Sequence, residues 1–306
     1  MLTFTGLNEN LSSLGPSAVA IGNFDGLHLG HQKIIGTLVR KAKELKLKSV
    51  VLTFSPHPEK ILGQETIRMI QTINQRLQGL KQLGVEATLI IPFHDDFFRL
   101  EPEEFIEKIL IDRLQTRLII VGADFRFGYG RQGDPDYLAR AGENAGFKVN
   151  IIPPVMLDGE VVSSSLIRQL LEKGEVDLAA RFLGHPYEIE GLVIKGDSRG
   201  QILGLPTANI EPRNEILPPG VFISESQVKN RVFPSVTNIG FRPTFGSASQ
   251  TVESHLLNFS GTLYGQEIKT RLLKKIREER KFPDAESLSQ QILKDIEQAR
   301  LYWAKA

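Results

Sequence analysis

His28 and His31 stand three residues apart in the string Asn23-Phe24-Asp25-Gly26-Leu27-His28-Leu29-Gly30-His31, which follows directly on the apolar run Ala18-Val19-Ala20-Ile21-Gly22. Imidazoles at i and i+3 share one face of a helical turn, and both can donate hydrogen bonds to phosphate oxygens. The first turn of a helix leaves backbone N–H groups unpaired and carries the positive end of the helix dipole, so an anion is favoured there. Gly30 lets the backbone approach closely. Ile34, Ile35, Leu38, Val39, Ala42 and Leu45 then continue at helical spacing. A buried strand, a glycine and histidine turn and an amphipathic helix thus build an anion pocket suited to nucleotide phosphates, with Asn23 and Asp25 alongside.

A second group lies far along the chain, in Gly196-Asp197-Ser198-Arg199-Gly200-Gln201-Ile202-Leu203-Gly204-Leu205-Pro206-Thr207-Ala208-Asn209-Ile210. Thr207 and Asn209 are two apart in an extended segment, so both project to one side. Hydroxyl and amide oxygens are hard donors, the kind a hard cation takes. Three further strings close or open elements: Thr53-Phe54-Ser55-Pro56-His57-Pro58, Gly122-Ala123-Asp124-Phe125-Arg126-Phe127-Gly128 and Ser163-Ser164-Ser165-Leu166-Ile167-Arg168.

The elements that must position these residues change period near residue 185. Before it, apolar runs (18–22, 49–54, 87–92, 117–121, 148–152) alternate with helical patterns (about 31–46, 73–83, 102–113, 136–145, 165–173, 175–183). That rhythm predicts a parallel sheet covered on both faces, a Rossmann-like α/β domain over 1–185. In such sheets ligands collect beyond the carboxyl ends of the strands. After it come short strands at about 187–194, 202–204, 221–228, 231–241, 250–259 and 266–274 between Gly, Pro and Asn turns. They predict a small antiparallel β-barrel over 186–306. A C-terminal helix follows, with Asp284 as N-cap and Leu288, Ile292, Ile296, Ala299 and Tyr302 at helical spacing.

With 306 residues, 41% of them hydrophobic, the chain can bury two ordinary cores, and a net charge of +1 gives no reason to expect nucleic acid as a partner. Zero cysteines exclude disulfides and thiolate chemistry. The start lacks a signal pattern and no apolar run approaches the roughly 18 residues needed to cross a bilayer. The expectation is a cytoplasmic enzyme acting on small molecules, with no membrane partner, as a monomer or weak homo-oligomer.

Residues 22–32, GNFDGLHLGHQ, resemble the signature of the nucleotidylyltransferase superfamily and, with 53–58, 122–128 and 163–168, more narrowly the N-terminal module of prokaryotic FAD synthetases. Residues 196–210 resemble the glycine-rich flap and Pro-Thr-Ala-Asn motif of riboflavin kinases, and Thr251-Val252-Glu253-Ser254-His255-Leu256-Leu257-Asn258-Phe259 resembles the second half of that kinase site. Together the resemblance covers nearly the whole chain. It implies a bifunctional enzyme that phosphorylates riboflavin to FMN in the barrel and adenylylates FMN to FAD in the first domain, each with ATP and Mg²⁺.

Residue by residue, the resemblance implies His28 and His31 on the triphosphate, with Gly22, Phe24 and Gly30 in the same ATP cradle and Ser164, Ser165 and Arg168 at its far end. Asn23 and Asp25 orient the acceptor phosphate or a Mg²⁺. Phe54, Pro56, His57, Asp124, Phe125 and Phe127 line the flavin side, with core packing as the alternative for the aromatics. In the barrel, Gly196, Arg199, Gly200, Gly204 and Pro206 form the ATP flap and Thr207 and Asn209 hold the metal. Glu253 is the base that takes the ribityl hydroxyl proton, and Arg277 borders the flavin. Gln201, Phe222 and Asn258 depart from the usual pattern, where arginine, tyrosine and aspartate are frequent. The alternative is a nucleotidylyltransferase for another phosphorylated acceptor, such as a nicotinate or pantetheine phosphate, with a non-catalytic flavin-binding barrel.

Overall fold

Strand residues alternate between two faces, and the apolar runs of the first half supply a core on each. In the computed structural model, which describes all residues but 8–10, 12, 13, 62, 64–66, 94, 196–206, 245, 246 and 306, the chain divides into two compact units. The side chains of 95, 96, 241–244, 247–249 and 285 are also outside the description.

The first unit comprises residues 1–67 and 73–163. Its elements are β1 (Leu2–Thr5), β2 (Ser17–Ile21), α1 (Leu29–Leu45), β3 (Lys48–Phe54), α2 (Pro58–Ile61), α3 (Ile73–Gln82), β4 (Ala87–Ile91), α4 (Asp95–Phe98) and α5 (Pro102–Phe105). β5 (Thr116–Gly122), α6 (Pro135–Ala145), β6 (Lys148–Ile152) and a small hairpin of β7 (Met156–Leu157) and β8 (Glu160–Val161) complete it. The five expected strands are all present, in an all-parallel sheet of order β1-β4-β3-β2-β5-β6. β1 is an addition: three of its four residues are exposed, so it carries no apolar run to announce it. The helix expected over 102–113 is one α-helical turn that widens into a π-helical stretch over Ile106–Ile111.

Alternation is visible in the packing. Val19, Ile21, Val50, Leu52, Ile119 and Val121 join Phe105, Ile109 and Leu138 on one face, whereas Ala18, Ala20, Val51, Leu118 and Ile120 join Ile35, Leu38 and Leu80 on the other. Because β2 lies between β3 and β5, successive connections leave on opposite sides of it, and a crevice opens beyond its carboxyl end. The histidine turn leaves β2 at that point.

The second unit comprises residues 68–72 and 164–306. It holds α7 (Ser164–Glu172), α8 (Val176–Leu183), β9 (Tyr187–Ile194), β10 (Ala208–Pro212), β11 (Gly220–Val228), β12 (Arg231–Thr244), β13 (Ser247–Leu256), β14 (Glu267–Arg277) and α9 (Ala285–Trp303). The strands close an antiparallel barrel of order β10-β13-β12-β11-β14-β9, and α8 packs on β9 and β14. The strand expected at 202–204 falls outside the described residues. The early segment 68–72 is tied into this unit: Arg68 pairs with Glu172 at 2.6 Å, Met69 N–H donates to Glu215 at 2.8 Å, and the Thr72 hydroxyl donates to buried Glu190 at 2.5 Å. α9 begins as expected, with Asp284 accepting from Ser287 N–H, a bond that holds its carboxyl below the usual range. Ile296 and Ala299 of α9 are buried against Val221, Ile223, Val236 and Leu257.

Inside the barrel the alternation presents hydroxyls. Ser224, Ser226, Ser235, Thr237, Ser254 and Thr270 are all fully buried. Five of them close a ring, Ser224–Ser235 (2.8 Å), Ser235–Ser226 (2.9 Å), Ser226–Ser254 (3.1 Å), Ser254–Thr237 (3.0 Å) and Thr237–Ser224 (2.7 Å), and Thr270 attaches to Ser226 at 3.1 Å. Each hydroxyl has one hydrogen. Six bonds among six hydroxyls therefore require Thr270 to donate to Ser226 and the ring donors to run in one direction. Buried polar groups are costly only when unpaired, and here all are paired.

Ser226 is the hub. Ser226→Ala is expected to cost about 2–3 kcal/mol and Thr270→Val about 1 kcal/mol, read by urea unfolding followed through Trp303, the chain's single tryptophan. Equal losses in the two variants would contradict the ring.

Candidate active sites

At the carboxyl end of β2 the backbone turns sharply, with positive φ at Phe24 (51°), Gly26 (90°) and Leu27 (41°). The turn delivers His28 as the N-cap of α1, where its Nδ1 accepts from His31 N–H at 3.3 Å. An accepting Nδ1 leaves Nε2 as the protonated nitrogen of the neutral ring, the donor that a phosphate needs. The His31 ring stacks on His28, centroids 3.5 Å apart, and meets the edge of Phe24 at 5.3 Å. Gly30 serves this stack directly: a Cβ there would sit 3.1 Å from the His28 ring. Phe24, expected beside ATP, is buried in the core with its ring against Gly22.

Asp25 is also buried, its carboxylate 3.9 Å from the guanidinium of Arg76, which is itself 3% exposed. Arg76, on α3, donates to the Thr53 hydroxyl at 3.3 Å and to the Phe54 carbonyl at 3.4 Å, and Thr53 in turn donates to the Asn23 carbonyl at 3.0 Å. The Asn23 amide meets His57 Nε2 at 2.8 Å, while His57 Nδ1 accepts from Glu59 N–H at 3.2 Å. One arginine thus ties the turn after β2 to the turn after β3, and links Asn23, Asp25, Phe54 and His57 through hydrogen bonds and one ion pair.

Beyond these strands runs a chain of rings. Phe54 meets Phe93 and Phe97 at 5.7 and 5.6 Å, Phe97 meets Phe105 at 6.2 Å, Phe105 meets Phe127 at 5.4 Å, and Phe125 stacks on Phe127 at 5.6 Å. Phe127 is buried in the core, over Gly133, whereas Phe54 and Phe125 are half-buried and Pro56 and Asp124 exposed. Tyr137 closes the chain against Phe127 at 6.0 Å; its hydrogen bond to Glu103 pushes the phenol up to about 12. Ser164, Ser165 and Arg168 stand on α7 in the second unit, where Arg168 Nε donates to the Arg68 carbonyl at 2.8 Å.

In the barrel, register brings three polar residues side by side. Asn209 of β10 lies opposite Glu253 of β13, which lies opposite Asn238 of β12. Their neighbours Ala208, Ile210, Val252, Ser254, Thr237 and Ile239 are buried, so alternation puts the three on the other face, where each is half-buried. Thr207, also half-buried, precedes β10. Gly196, Arg199, Gly200, Gly204 and Pro206 lie outside the described residues. Arg277 is engaged elsewhere: its Nε and Nη2 contact Asp295 of α9 at 3.1 and 2.8 Å, Asp295 is 1% exposed, and Gln291 adds a further bond to it.

Sequence reasoning passed over Arg76, which sits three residues after Ile73 and four before Leu80. A charged residue on the apolar stripe of a helix is the signal that marks it. Strand register is what sets Asn238 opposite Glu253.

A parallel α/β sheet with two stacked histidines at its central switch point, followed by a closed barrel with a carboxylate and amides on one face, is the layout of a two-module transferase. The family model described as FAD synthetase matches residues 11–166, and that described as riboflavin kinase matches residues 183–303. A bifunctional riboflavin kinase/FMN adenylyltransferase of Bacillus subtilis is 38% identical over 300 residues, covering 94% of this chain and 93% of the relative. One of Haemophilus influenzae is 36% identical over 306 residues, covering 99% of each. A crystal structure titled as a macrolide-efflux protein from Streptococcus pneumoniae superposes with a TM-score of 0.89 at 28% identity, covering 98% of this chain and 99% of that one. That name belongs to the neighbour; among the described residues here no helix is long and apolar enough to cross a membrane. The chain belongs to the bifunctional riboflavin kinase/FMN adenylyltransferase family.

Removing one partner of a buried ion pair leaves an uncompensated charge, at a cost of about 3–5 kcal/mol. Arg277→Leu is therefore expected to destabilise the barrel by that order in urea unfolding. An arginine that only touched flavin would raise the KM for riboflavin and leave stability unchanged.

Proposed function

We propose that the chain makes FAD from riboflavin in two ATP-dependent steps, with residues 186–306 as the kinase and 1–185 as the adenylyltransferase. The observation that carries this reading is the separation of two different reactive constellations, the stacked histidines after β2 and the Asn209–Glu253–Asn238 row on the barrel.

In the kinase step the ribityl 5′-hydroxyl oxygen attacks the γ-phosphorus of ATP. The O–P bond to the β-phosphate breaks, ADP leaves with the electron pair, and the hydroxyl proton passes to Glu253. A carboxylate does not deprotonate a free alcohol in the ground state, so Glu253 takes the proton as the new O–P bond forms. The donor set fits Mg²⁺: Thr207 and Asn209 offer hard oxygens, and no group of three His, Cys, Asp or Glu side chains able to cage a metal occurs among the described residues. ATP oxygens would therefore complete its shell. When bound, the ion would screen phosphate charge.

In the adenylyl step an oxygen of the FMN phosphate attacks the α-phosphorus of ATP, forming the P–O–P bond of FAD as pyrophosphate leaves. Both reactants are anions, so charge neutralisation and in-line placement are the protein's task. His28 donates through Nε2, and His31, held against it, acts beside it on the triphosphate. Phe54 and Phe125 offer apolar surface to the flavin ring, with Pro56 and Asp124 at its edge. On this reading the enzyme works in the cytoplasm on small molecules, as a monomer or weak homo-oligomer.

The test is a division of labour. Glu253→Gln is expected to lower FMN formation by about 10²–10⁴-fold while sparing FAD formation from supplied FMN, and His28→Ala with His31→Ala to do the reverse. A folded variant that loses both reactions would refute the assignment, as would a chain that adenylylates another phosphorylated acceptor in preference to FMN.

A further inference from the structure

His57 accepts a backbone N–H from Glu59 at Nδ1, 3.2 Å away, and faces the Asn23 amide with Nε2, 2.8 Å away. These two contacts constrain each other. An imidazole whose Nδ1 is an acceptor carries its proton on Nε2, because a ring accepting at both nitrogens would be an imidazolate. A protonated Nε2 needs an acceptor opposite it. Of the two ends of an amide only the oxygen accepts, so hydrogen-bond logic turns Oδ1 of Asn23 toward His57. The NH₂ group then takes the other end, a buried position at which the amide oxygen would receive no hydrogen bond from the described residues.

We infer that His57 is a positioning residue for adenylyl transfer, which fixes the Asn23 amide so that its NH₂ faces the reacting phosphates. The inference rests on the adenylyltransferase reading of this site. Two functions that the sequence left open for Asn23, an acceptor-phosphate contact or a Mg²⁺ ligand, are thereby separated: an NH₂ donates to an anion and cannot bind a cation. A phosphate oxygen arriving in the turn gives this NH₂ an acceptor that matches its charge. The supports of the arrangement are rigid. The Thr53 hydroxyl holds the Asn23 carbonyl at 3.0 Å, Arg76 holds Thr53, and His57, 7% exposed, is locked by the start of α2. His28 likewise accepts a backbone N–H at Nδ1, which leaves the proton of its neutral ring on Nε2. In this site one capping histidine donates to substrate directly and the other acts through an asparagine.

Asn23→Asp is the discriminating change, made in the full chain with riboflavin phosphorylation as the folding control. One carboxylate oxygen still accepts from His57, but the other brings negative charge where the NH₂ was. FAD formation from FMN and ATP is expected to fall on the order of 100-fold in kcat, with no recovery in excess Mg²⁺. Retained activity, or saturation at lower Mg²⁺, would overturn the inference in favour of a metal ligand. His57→Ala is expected to lower kcat by one to two orders of magnitude with little change in the KM for FMN; a raised KM with kcat intact would make His57 a flavin contact instead. Independently of activity, nitrogen NMR of the unaltered chain with labelled histidine should show His57 with Nδ1 unprotonated and Nε2 protonated. The opposite tautomer would sink the proposal. If the unaltered chain formed no FAD at all, the adenylyltransferase reading itself would fail, an outcome distinct from an active enzyme indifferent to Asn23→Asp.

Discussion

Side chains on a strand alternate between two faces, and a slip of one residue would exchange them completely. Both units are organised by this constraint. In the parallel sheet it feeds two apolar cores, one from Val19, Ile21 and Leu52 and the other from Ala18, Ala20 and Val51. With both faces covered, the strand ends are the places left for chemistry, and the histidine turn after β2 occupies the central one. In the barrel the same alternation sends Thr237 and Ser254 inward to the hydroxyl ring while their neighbours Asn238 and Glu253 face the other way. The ring and the reactive row are two readings of one register, so whatever fixes the first fixes the second.

Charge is handled differently in the two places. Arg76 and Asp25 are both buried, and the guanidinium is also bonded to Thr53 and to the Phe54 carbonyl. Desolvating such a pair is expensive, and its contribution is better described as geometric: it ties two loops from separate strands. Arg277 and Asp295 do the same for α9. Glu253 is instead half-buried, in register with Asn209 on one side and Asn238 on the other.

Much of this was legible in the amino-acid sequence because short-range rules decide it. The apolar runs gave the five strands β2 to β6, Asp284 gave the cap of α9, and Gly22 to His31 gave the turn into α1. What escaped depends on distant residues. β1 has no apolar run and is recruited by pairing with β4. The 68–72 segment joins the second unit through Glu172, Glu190 and Glu215, more than 100 positions away in sequence. Phe24 and Phe127 resemble site aromatics in their motifs, yet burial assigns them to the core. Arg277 lies in a family-like string, but its partner on α9 could be found only by folding the chain.

The origin of each phosphorus atom tests the two-module account most directly. The unaltered chain would be given riboflavin and ATP labelled at either the γ- or the α-phosphate, and the flavin products separated by chromatography. The account predicts γ-label in FMN and carried on into FAD, and α-label in FAD alone. Label from the α-phosphate in FMN, or FAD that lacks the γ-label, would contradict it.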